Sequence, residues 1–445
     1  MAKHGKIGKH RALLQQHTAR LQTAWNLAQI GLFVFPLIPS LGALGIFLAL
    51  VDTWRQQFRQ IMHSPLNWGL AILTIWLIIT TIFAYEPVAA ILGLFNFLPF
   101  FILFAAFSNL IQTPAQLRQL AKILVMTSIP AIVLGFGQLF LGWTTSASLS
   151  GVLGWTLAWQ GNPPGRMASI FMYANTFAGY LVITFILSLG LWLECFTTKV
   201  PKIKHRLLLM AIVGNFVALI LTNSRNAWAI ACFAILTFAL YQGWRWLVMA
   251  VSAIASAILL AAFAPSPLNN LLRIVVPQFF WARLTDQFFP NRPIPFLRTT
   301  QWQFTLSLAQ QRPLTGWGLR NFTPLYENQM GVWLGHPHNF FLMFAAETGI
   351  ISFVLLSLWV GWILFRSIQL LHNWQSSNLD KVQISQDKLI FFSYIVAFCA
   401  CVIFNIVDVT IFDLRLNTLV WILLAAVGGV CKHHLYKNHF WRKDI

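Results

Sequence analysis

Four short polar segments carry the side chains most suited to chemistry. They begin at Arg166, Thr222, Arg298 and His336, and each contains an arginine or a histidine. The guanidinium of arginine is a planar fork that can bind phosphate through two parallel hydrogen bonds. A neutral imidazole can accept a proton from a hydroxyl near pH 7. These residue types predict a site that activates a hydroxyl beside a phosphate-bearing substrate.

Each of these side chains also has a structural interpretation, which the sequence leaves open. Arg225 would cap the turn between two helices, and Arg166 would reach toward the membrane interface. Arg298 would stack on Trp302 as a cation–π pair. His338 would only donate or accept a hydrogen bond at the start of a helix. For His336, next to Pro337, the structural interpretation is favoured.

The elements that must position these residues are membrane-spanning helices. Of the 445 residues, 58% are hydrophobic and only 9% are charged, against about 25% charged in a soluble domain. The net charge of +19 is attributed to basic cytoplasmic loops, and no nucleic-acid partner is predicted. The fold class predicted is an all-α polytopic membrane protein, with membrane lipids around it.

Apolar stretches near the 20 residues that a span needs occur at 66–84, 87–111, 120–142, 169–193, 207–222, 226–241, 246–264, 339–365, 389–408 and 414–431. The stretch 21–52 is either one helix or a hairpin broken at Pro36–Ser40. The positive-inside rule favours the hairpin, because it places the basic loop 199–206 in the cytoplasm. This predicts about twelve spans, with both termini cytoplasmic.

The predicted organisation divides the chain into 1–20, a cytoplasmic tail; 21–264, nine spans; 265–338, a large outer loop; 339–431, three spans; and 432–445, a second tail. In this topology all 12 Lys lie inside and 9 Arg lie outside. The outer loop is expected to form short helices over 268–284 and 298–311 that lie on the membrane surface as a lid. No metal is predicted, because no Cys/His spacing or carboxylate cluster is visible on the outer side.

The order of the motifs resembles the O-antigen ligase and O-antigen polymerase superfamily of bacterial membrane glycosyltransferases. The matching segments are Arg166 ahead of a span containing Asn175, Ser224-Arg225-Asn226-Ala227-Trp228, Arg298 in the large loop, Pro313-Leu-Thr-Gly316-Trp-Gly318, His338-Asn339 and Glu347-Thr348-Gly349. The resemblance covers roughly residues 160–350. Asn226 stands where the family commonly has glycine.

The resemblance implies a GT-C-like bundle in the bacterial inner membrane and catalysis without metal or other cofactor. It implies a glycan donor on undecaprenyl pyrophosphate and a lipid or glycan acceptor, as in lipopolysaccharide biosynthesis. His338 would then be the general base, and Arg166, Arg225, Arg298 and Asn339 would bind substrate. The alternatives are a bicarbonate-uptake protein of the same superfamily and a non-catalytic scaffold or flippase-like partner.

Overall fold

The computed structural model describes residues 21–196, 201–285, 287, 291, 293–374 and 380–442, with side chains described to residue 434. Within these ranges the secondary structure is helical, apart from a single bridge between Gly161 and Arg166. The α-helices are α1 Gln22–Val34, α2 Pro39–Met62, α3 Pro65–Ile82, α4 Pro87–Leu94, α5 Leu98–Leu110, α6 Pro114–Phe140, α7 Ala147–Leu153, α8 Ala174–Glu194, α9 Lys202–Leu221, α10 Arg225–Gln242, α11 Arg245–Phe263, α12 Leu268–Val275, α13 Gln278–Leu284, α14 Arg298–Gln311, α15 Phe322–Met330, α16 Phe340–His372, α17 Lys381–Phe404 and α18 Leu414–Arg442.

Nine helical segments in the described ranges are long and apolar enough to cross a membrane, with α4 and α5 counted as one. The predicted class, an all-helical polytopic membrane protein, is confirmed. Three further predicted spans correspond to α1, α2 and α10, and the total of twelve stays a prediction.

The first apolar stretch forms two helices rather than one. A turn at 35–38 separates α1 from α2, which begins at Pro39 because proline is favoured in the first turn of a helix. The two helices pack backbone to backbone through glycines: a Cβ added at Gly31 would lie 2.7 Å from the amide nitrogen of Ile46. This is the hairpin that the charge distribution predicts, although its orientation in the membrane stays a prediction.

The centre of the bundle is formed by α8, α17 and α18, most of whose residues are buried. Helix α8 packs against α6, α9, α10 and α17, so it lies at the middle of the helices that precede the outer loop. In contrast, α11 is largely exposed and faces away from the bundle. The buried helices α8, α17 and α18 therefore form the packed framework at whose ends a site can be built.

The segment between α11 and α16, named the outer segment after its predicted side of the membrane, contains four α-helices in its described residues, α12 to α15. The predicted helix over 298–311 is confirmed, and the predicted helix over 268–284 is interrupted at Val276 and Pro277 to give α12 and α13. Phe304 and Leu308 of α14 pack with Phe322 and Tyr326 of α15 in a second small hydrophobic core. This core also includes Ala346 of α16, so the outer segment is attached to the bundle.

A kink in α16 holds the stretch 313–318 against the membrane-spanning helix. Gly349 has φ +78°, and a Cβ there would lie 2.0 Å from the carbonyl oxygen of Leu314. The amide of Ile350, freed by the kink, donates to the Pro313 carbonyl at 2.8 Å, and the Gly318 amide donates to the Glu347 carbonyl at 2.8 Å. The segments 313–318 and 347–349, both among the motifs of the resemblance, are thus packed together by backbone hydrogen bonds.

Candidate functional site

His338 stands immediately before the N-cap of α16, at the end of the outer segment. Its backbone has φ +53°, an uncommon conformation for a residue other than glycine. Its Nδ1 atom lies 3.4 Å from Oδ1 of Asp408. Because a carboxylate can only accept a hydrogen bond, this contact assigns the proton to Nδ1. The Nε2 atom then carries the lone pair, as a general base requires.

Asp408 lies in the short loop between α17 and α18 and is buried. Its Oδ1 also accepts from the Val409 amide at 2.9 Å, and its Oδ2 accepts from Nδ2 of Asn175 at 2.7 Å. Burial alone would raise the pKa of this carboxyl, but the hydrogen bond from His338 and the nearby imidazoles and amide together lower it. Asp408 is therefore ionised and orients the His338 ring.

Asn175 connects this acid to the first candidate arginine. Its Oδ1 accepts from Nη2 of Arg166 at 2.6 Å, while Nε of Arg166 donates to the Thr222 carbonyl at 2.8 Å. Burial lowers the pKa of Arg166, but a guanidinium stays protonated in proteins. A continuous hydrogen-bonded chain thus runs from Arg166 through Asn175 and Asp408 to His338.

Arg225 begins α10 and is held by the outer segment. Its Nη1 donates to the carbonyl oxygens of Arg283 at 3.1 Å and Leu284 at 3.4 Å, at the C-terminal end of α13. Trp228, one turn further along α10, packs against Phe279 of α13 with ring centroids 5.4 Å apart. The predicted turn at 222–228 therefore packs against α13, which holds the guanidinium of Arg225 through its last carbonyl oxygens.

Arg298 begins α14, next to the loop that carries the histidines. The indole Nε1 of Trp302 in the same helix donates to the Pro337 carbonyl at 3.0 Å, which fixes α14 beside His338. Arg298 is close enough to Arg166 and His336 to lower the pKa of both by charge repulsion, although burial is the larger cause for each. The charge of Arg225 also lowers the pKa of Arg166. Arg225 and Arg298 therefore both lie within electrostatic range of Arg166.

Asn339, predicted to bind substrate, has a structural function in this geometry. It is the N-cap of α16: its Oδ1 accepts from the Leu342 amide at 2.9 Å, and the residue is buried. A side-chain N-cap satisfies a backbone amide that would otherwise lack a partner. Asn339 therefore fixes the start of the helix behind His338, and only its amide nitrogen is left for a substrate.

His336 packs against His338 with ring centroids 4.5 Å apart, and its Nδ1 accepts from the His338 backbone amide at 3.2 Å. Burial lowers the pKa of His336 to about 4, and the neighbouring His338 and Arg298 add to the effect. The imidazole is therefore neutral at physiological pH. This supports the structural interpretation of His336 that the sequence favours.

The outer face does bring together metal-binding residue types, which the sequence did not reveal. One nitrogen from each of His336 and His338 and an oxygen of Asp408 lie within 4.8 Å of one another. This spacing would admit a metal ion, but Nδ1 of His338 already contacts Asp408 and Nδ1 of His336 already accepts from the His338 amide. The guanidinium of Arg298 also lies within electrostatic range of His336. Nearby positive charge opposes the binding of a cation. The geometry therefore fits a hydrogen-bonded proton acceptor better than a metal centre.

Sequence reasoning missed Asp408 and gave Asn175 no role of its own. The signal for Asp408 was an acidic residue in the short outer loop between the last two spans, on the same side of the membrane as His338. A lone carboxylate has no motif spacing, so only the folded bundle shows what it contacts. An open groove of about 760 Å³ between Ile82–Tyr85 and Arg312–Thr315 contains none of these site residues.

Comparison with known protein families agrees with the motifs. Residues 208–357 match the family model described as O-antigen ligase. The match includes Arg225, Arg298 and His338, whereas Arg166 and Asp408 lie outside it. No match was found among curated proteins. The resemblance to O-antigen ligases and polymerases is confirmed, and it assigns this multi-pass membrane protein a function related to glycosyl transfer.

Proposed function

We propose that the protein is a glycosyltransferase of the bacterial inner membrane that moves a glycan from undecaprenyl pyrophosphate to an acceptor hydroxyl on the extracytoplasmic side. The observation that carries this proposal is the hydrogen-bonded chain that joins Arg166 to Asp408 and His338. Arg225 and Arg298 both lie within electrostatic range of Arg166. A proton acceptor set among guanidinium groups matches a reaction that activates a hydroxyl and releases a pyrophosphate.

In the proposed reaction, Nε2 of His338 takes the proton of the acceptor hydroxyl. The acceptor oxygen forms a bond to the anomeric carbon of the donor glycan. The bond between that carbon and the pyrophosphate oxygen breaks, and its electron pair stays on the pyrophosphate. Asp408 keeps the proton of His338 on Nδ1 and stabilises the imidazolium that forms. No metal is needed for the charges to balance.

The arginines supply positive charge where negative charge develops on the leaving group. Arg166 is already fixed by Asn175 and the Thr222 carbonyl. Arg225 would exchange its contacts with the α13 carbonyls for the stronger interaction with phosphate oxygens. Asn339 contributes by fixing the start of α16, so that His338 keeps its position during the reaction.

The test measures surface polysaccharide and lipid-linked glycan in a strain that lacks the protein and is complemented with variants at matched levels. His338→Ala should fail to restore transfer, with a loss of about 10²–10⁴-fold in rate, because the general base is removed. His336→Ala is the matched control and should be mild, because that imidazole is neutral and stacked rather than reactive.

Bicarbonate uptake measured in the same cells distinguishes the alternative function. Build-up of lipid-linked glycan in the null strain supports the transferase. If the null strain has normal glycans and reduced uptake of inorganic carbon, the transport function replaces it. Normal glycan transfer by His338→Ala would show that the site has been placed wrongly.

A further inference from the structure

Arg320 lies in the turn that precedes α15 and approaches the site through Phe412, whereas Arg166 approaches it through Asn175 of α8. Its guanidinium carbon is 5.8 Å from the ring centroid of Phe412, at the start of α18. The Phe412 ring in turn stacks on His336, with centroids 6.0 Å apart and an angle of 19°. Arg320 is thus separated from the two histidines by a single partly exposed aromatic ring.

The backbone at Arg320 is strained, and the surrounding residues hold it in place. Its φ of +61° is in the left-handed region, which is unfavourable for an L-residue other than glycine. On one side, the Gly318 amide donates to the Glu347 carbonyl at 2.8 Å. On the other, the Phe322 amide donates to the buried Glu347 carboxylate at 3.2 Å. Strain retained in this way is typical of functional positions.

The side chain of Arg320 is exposed, and its Nη2 makes one long hydrogen bond of 3.4 Å to Oδ1 of Asn96. Other outer arginines are held more firmly. Arg312 donates to the Phe83 carbonyl at 3.0 Å and stacks on Trp317 at 4.0 Å. Arg415 is buried and donates to the Ile170 carbonyl at 2.9 Å. The strained turn therefore presents Arg320 with most of its donors still available.

The position of Arg320 distinguishes it from the donor-binding set. Arg166 is linked to His338 through Asn175 of α8 and Asp408. Arg320, in the turn before α15, instead contacts Asn96 between α4 and α5 and Phe412 just before α18. A pyrophosphate held by the first set leaves the second side open for the other substrate. An exposed guanidinium there would pair with an anionic group.

We propose that Arg320 binds a phosphate or carboxylate group on the acceptor, and that the protein therefore selects acceptors which carry negative charge near the reacting hydroxyl. This inference rests on the proposed transferase function. It assigns a substrate class to one side of the site and leaves the roles of His338 and the donor-binding arginines unchanged.

The test compares two synthetic lipid-linked disaccharide acceptors, one neutral and one bearing a single phosphate monoester, with the full-length protein in phosphatidylcholine vesicles. Arg320→Gly removes the guanidinium and also relieves the backbone strain, since glycine accepts positive φ. We expect it to raise the KM for the phosphorylated acceptor about tenfold, the loss of one charge-assisted hydrogen bond. The KM for the neutral acceptor and for the donor should not change.

Arg312→Gln is the matched control: it removes an arginine of the same outer segment and should keep the preference for the phosphorylated acceptor. Thermal unfolding should show that Arg320→Gly is no less stable than the wild type, so that a KM effect reports binding. A carboxylated acceptor, tested in parallel, shows which anion is preferred.

Three results would overturn the inference. The first is a wild-type protein that transfers equally to neutral, phosphorylated and carboxylated acceptors. The second is an Arg320→Gly protein that keeps the wild-type preference. The third is a change in the KM for the neutral acceptor that Arg320→Gly causes only in vesicles containing phosphatidylglycerol. Arg320 would then bind lipid headgroups rather than the acceptor. A wild-type protein that transfers to none of them would refute the proposed function itself.

Discussion

Asp408→Asn is the sharpest test of the proposed chemistry, because it changes one atom and leaves the shape of the side chain. The carboxylate now accepts from Nδ1 of His338, from the Val409 amide and from Nδ2 of Asn175. An asparagine at position 408 cannot accept all three of these hydrogen bonds. If its NH₂ group faces Asn175, two donors oppose each other; if it faces His338, the imidazole must accept at Nδ1.

The second arrangement moves the histidine proton to Nε2, the atom that should act as base. A base in the wrong tautomer cannot take the acceptor proton until the ring is rearranged. We expect kcat to fall about 10²-fold, which is the smaller end of the roughly 10²–10⁴-fold range expected when an acid–base group is removed. The lower end applies because the observed contact of 3.4 Å is longer than a strong hydrogen bond.

The assay is glycan transfer by purified protein in vesicles, with kcat and the KM for the donor measured separately. The loss should appear in kcat, because Asp408 acts on the base and not on the pyrophosphate. In the double variant Asp408→Asn, His338→Ala, the acid substitution should add almost nothing, since its effect passes through the missing ring. Asp413→Asn is the matched control in the same loop. It removes the same charge but keeps the hydrogen bond to the Leu416 amide that caps α18.

A value of kcat for Asp408→Asn within threefold of the wild type would refute the orienting role of this acid. So would full additivity with His338→Ala. A comparable loss in Asp413→Asn would show that negative charge in the loop, and not the contact with His338, is what matters.

Three further predictions concern the donor site, the metal and the topology. Arg225→Lys should lose transfer almost as fully as Arg225→Ala, with weaker donor binding in both, because an ammonium cannot replace a bidentate fork on a diphosphate; wild-type donor binding by the lysine variant would contradict this. Transfer should survive EDTA, and activity lost in EDTA but restored by Mg²⁺ or Mn²⁺ would turn the cluster of His336, His338 and Asp408 into a metal site. Reporter fusions should be cytoplasmic after Arg59, Lys204 and Lys381 and extracytoplasmic near Trp155 and Asn291; an external Arg59 with an internal Lys204 would exclude the hairpin orientation.

Local sequence rules predicted the parts of this structure that depend on neighbours in the chain. The break before Pro39 follows from proline chemistry, and α14 occupies the predicted range Arg298–Gln311. The candidate base and the three arginines were identified from residue type, order and side of the membrane. The structure links Arg166 to His338 through hydrogen bonds, and it places Arg225 and Arg298 within electrostatic range of Arg166. The roles of these residues in binding and catalysis stay predictions.

What the sequence could not provide was the long-range pairing. Asp408 is 70 positions from His338, and Asn175 is 233 positions from Asp408. No periodicity links residues at such separations. Asn339 is a different case: the resemblance implied substrate binding, which stays a prediction, and the structure adds that the residue caps α16.

The kink at Gly349 also sets how far the reacting groups stand from the hydrocarbon. From Gly349 to His372, α16 rises about 35 Å at 1.5 Å per residue, which already exceeds the ~30 Å thickness of the apolar layer. The outer piece that begins at Phe340 is therefore free to stand at the level of the lipid headgroups. A carrier lipid holds its first phosphates at this same depth while its polyprenyl chain stays in the bilayer. Chemistry at His338 would then need no lifting of the lipid out of the membrane, and water could reach the released pyrophosphate directly.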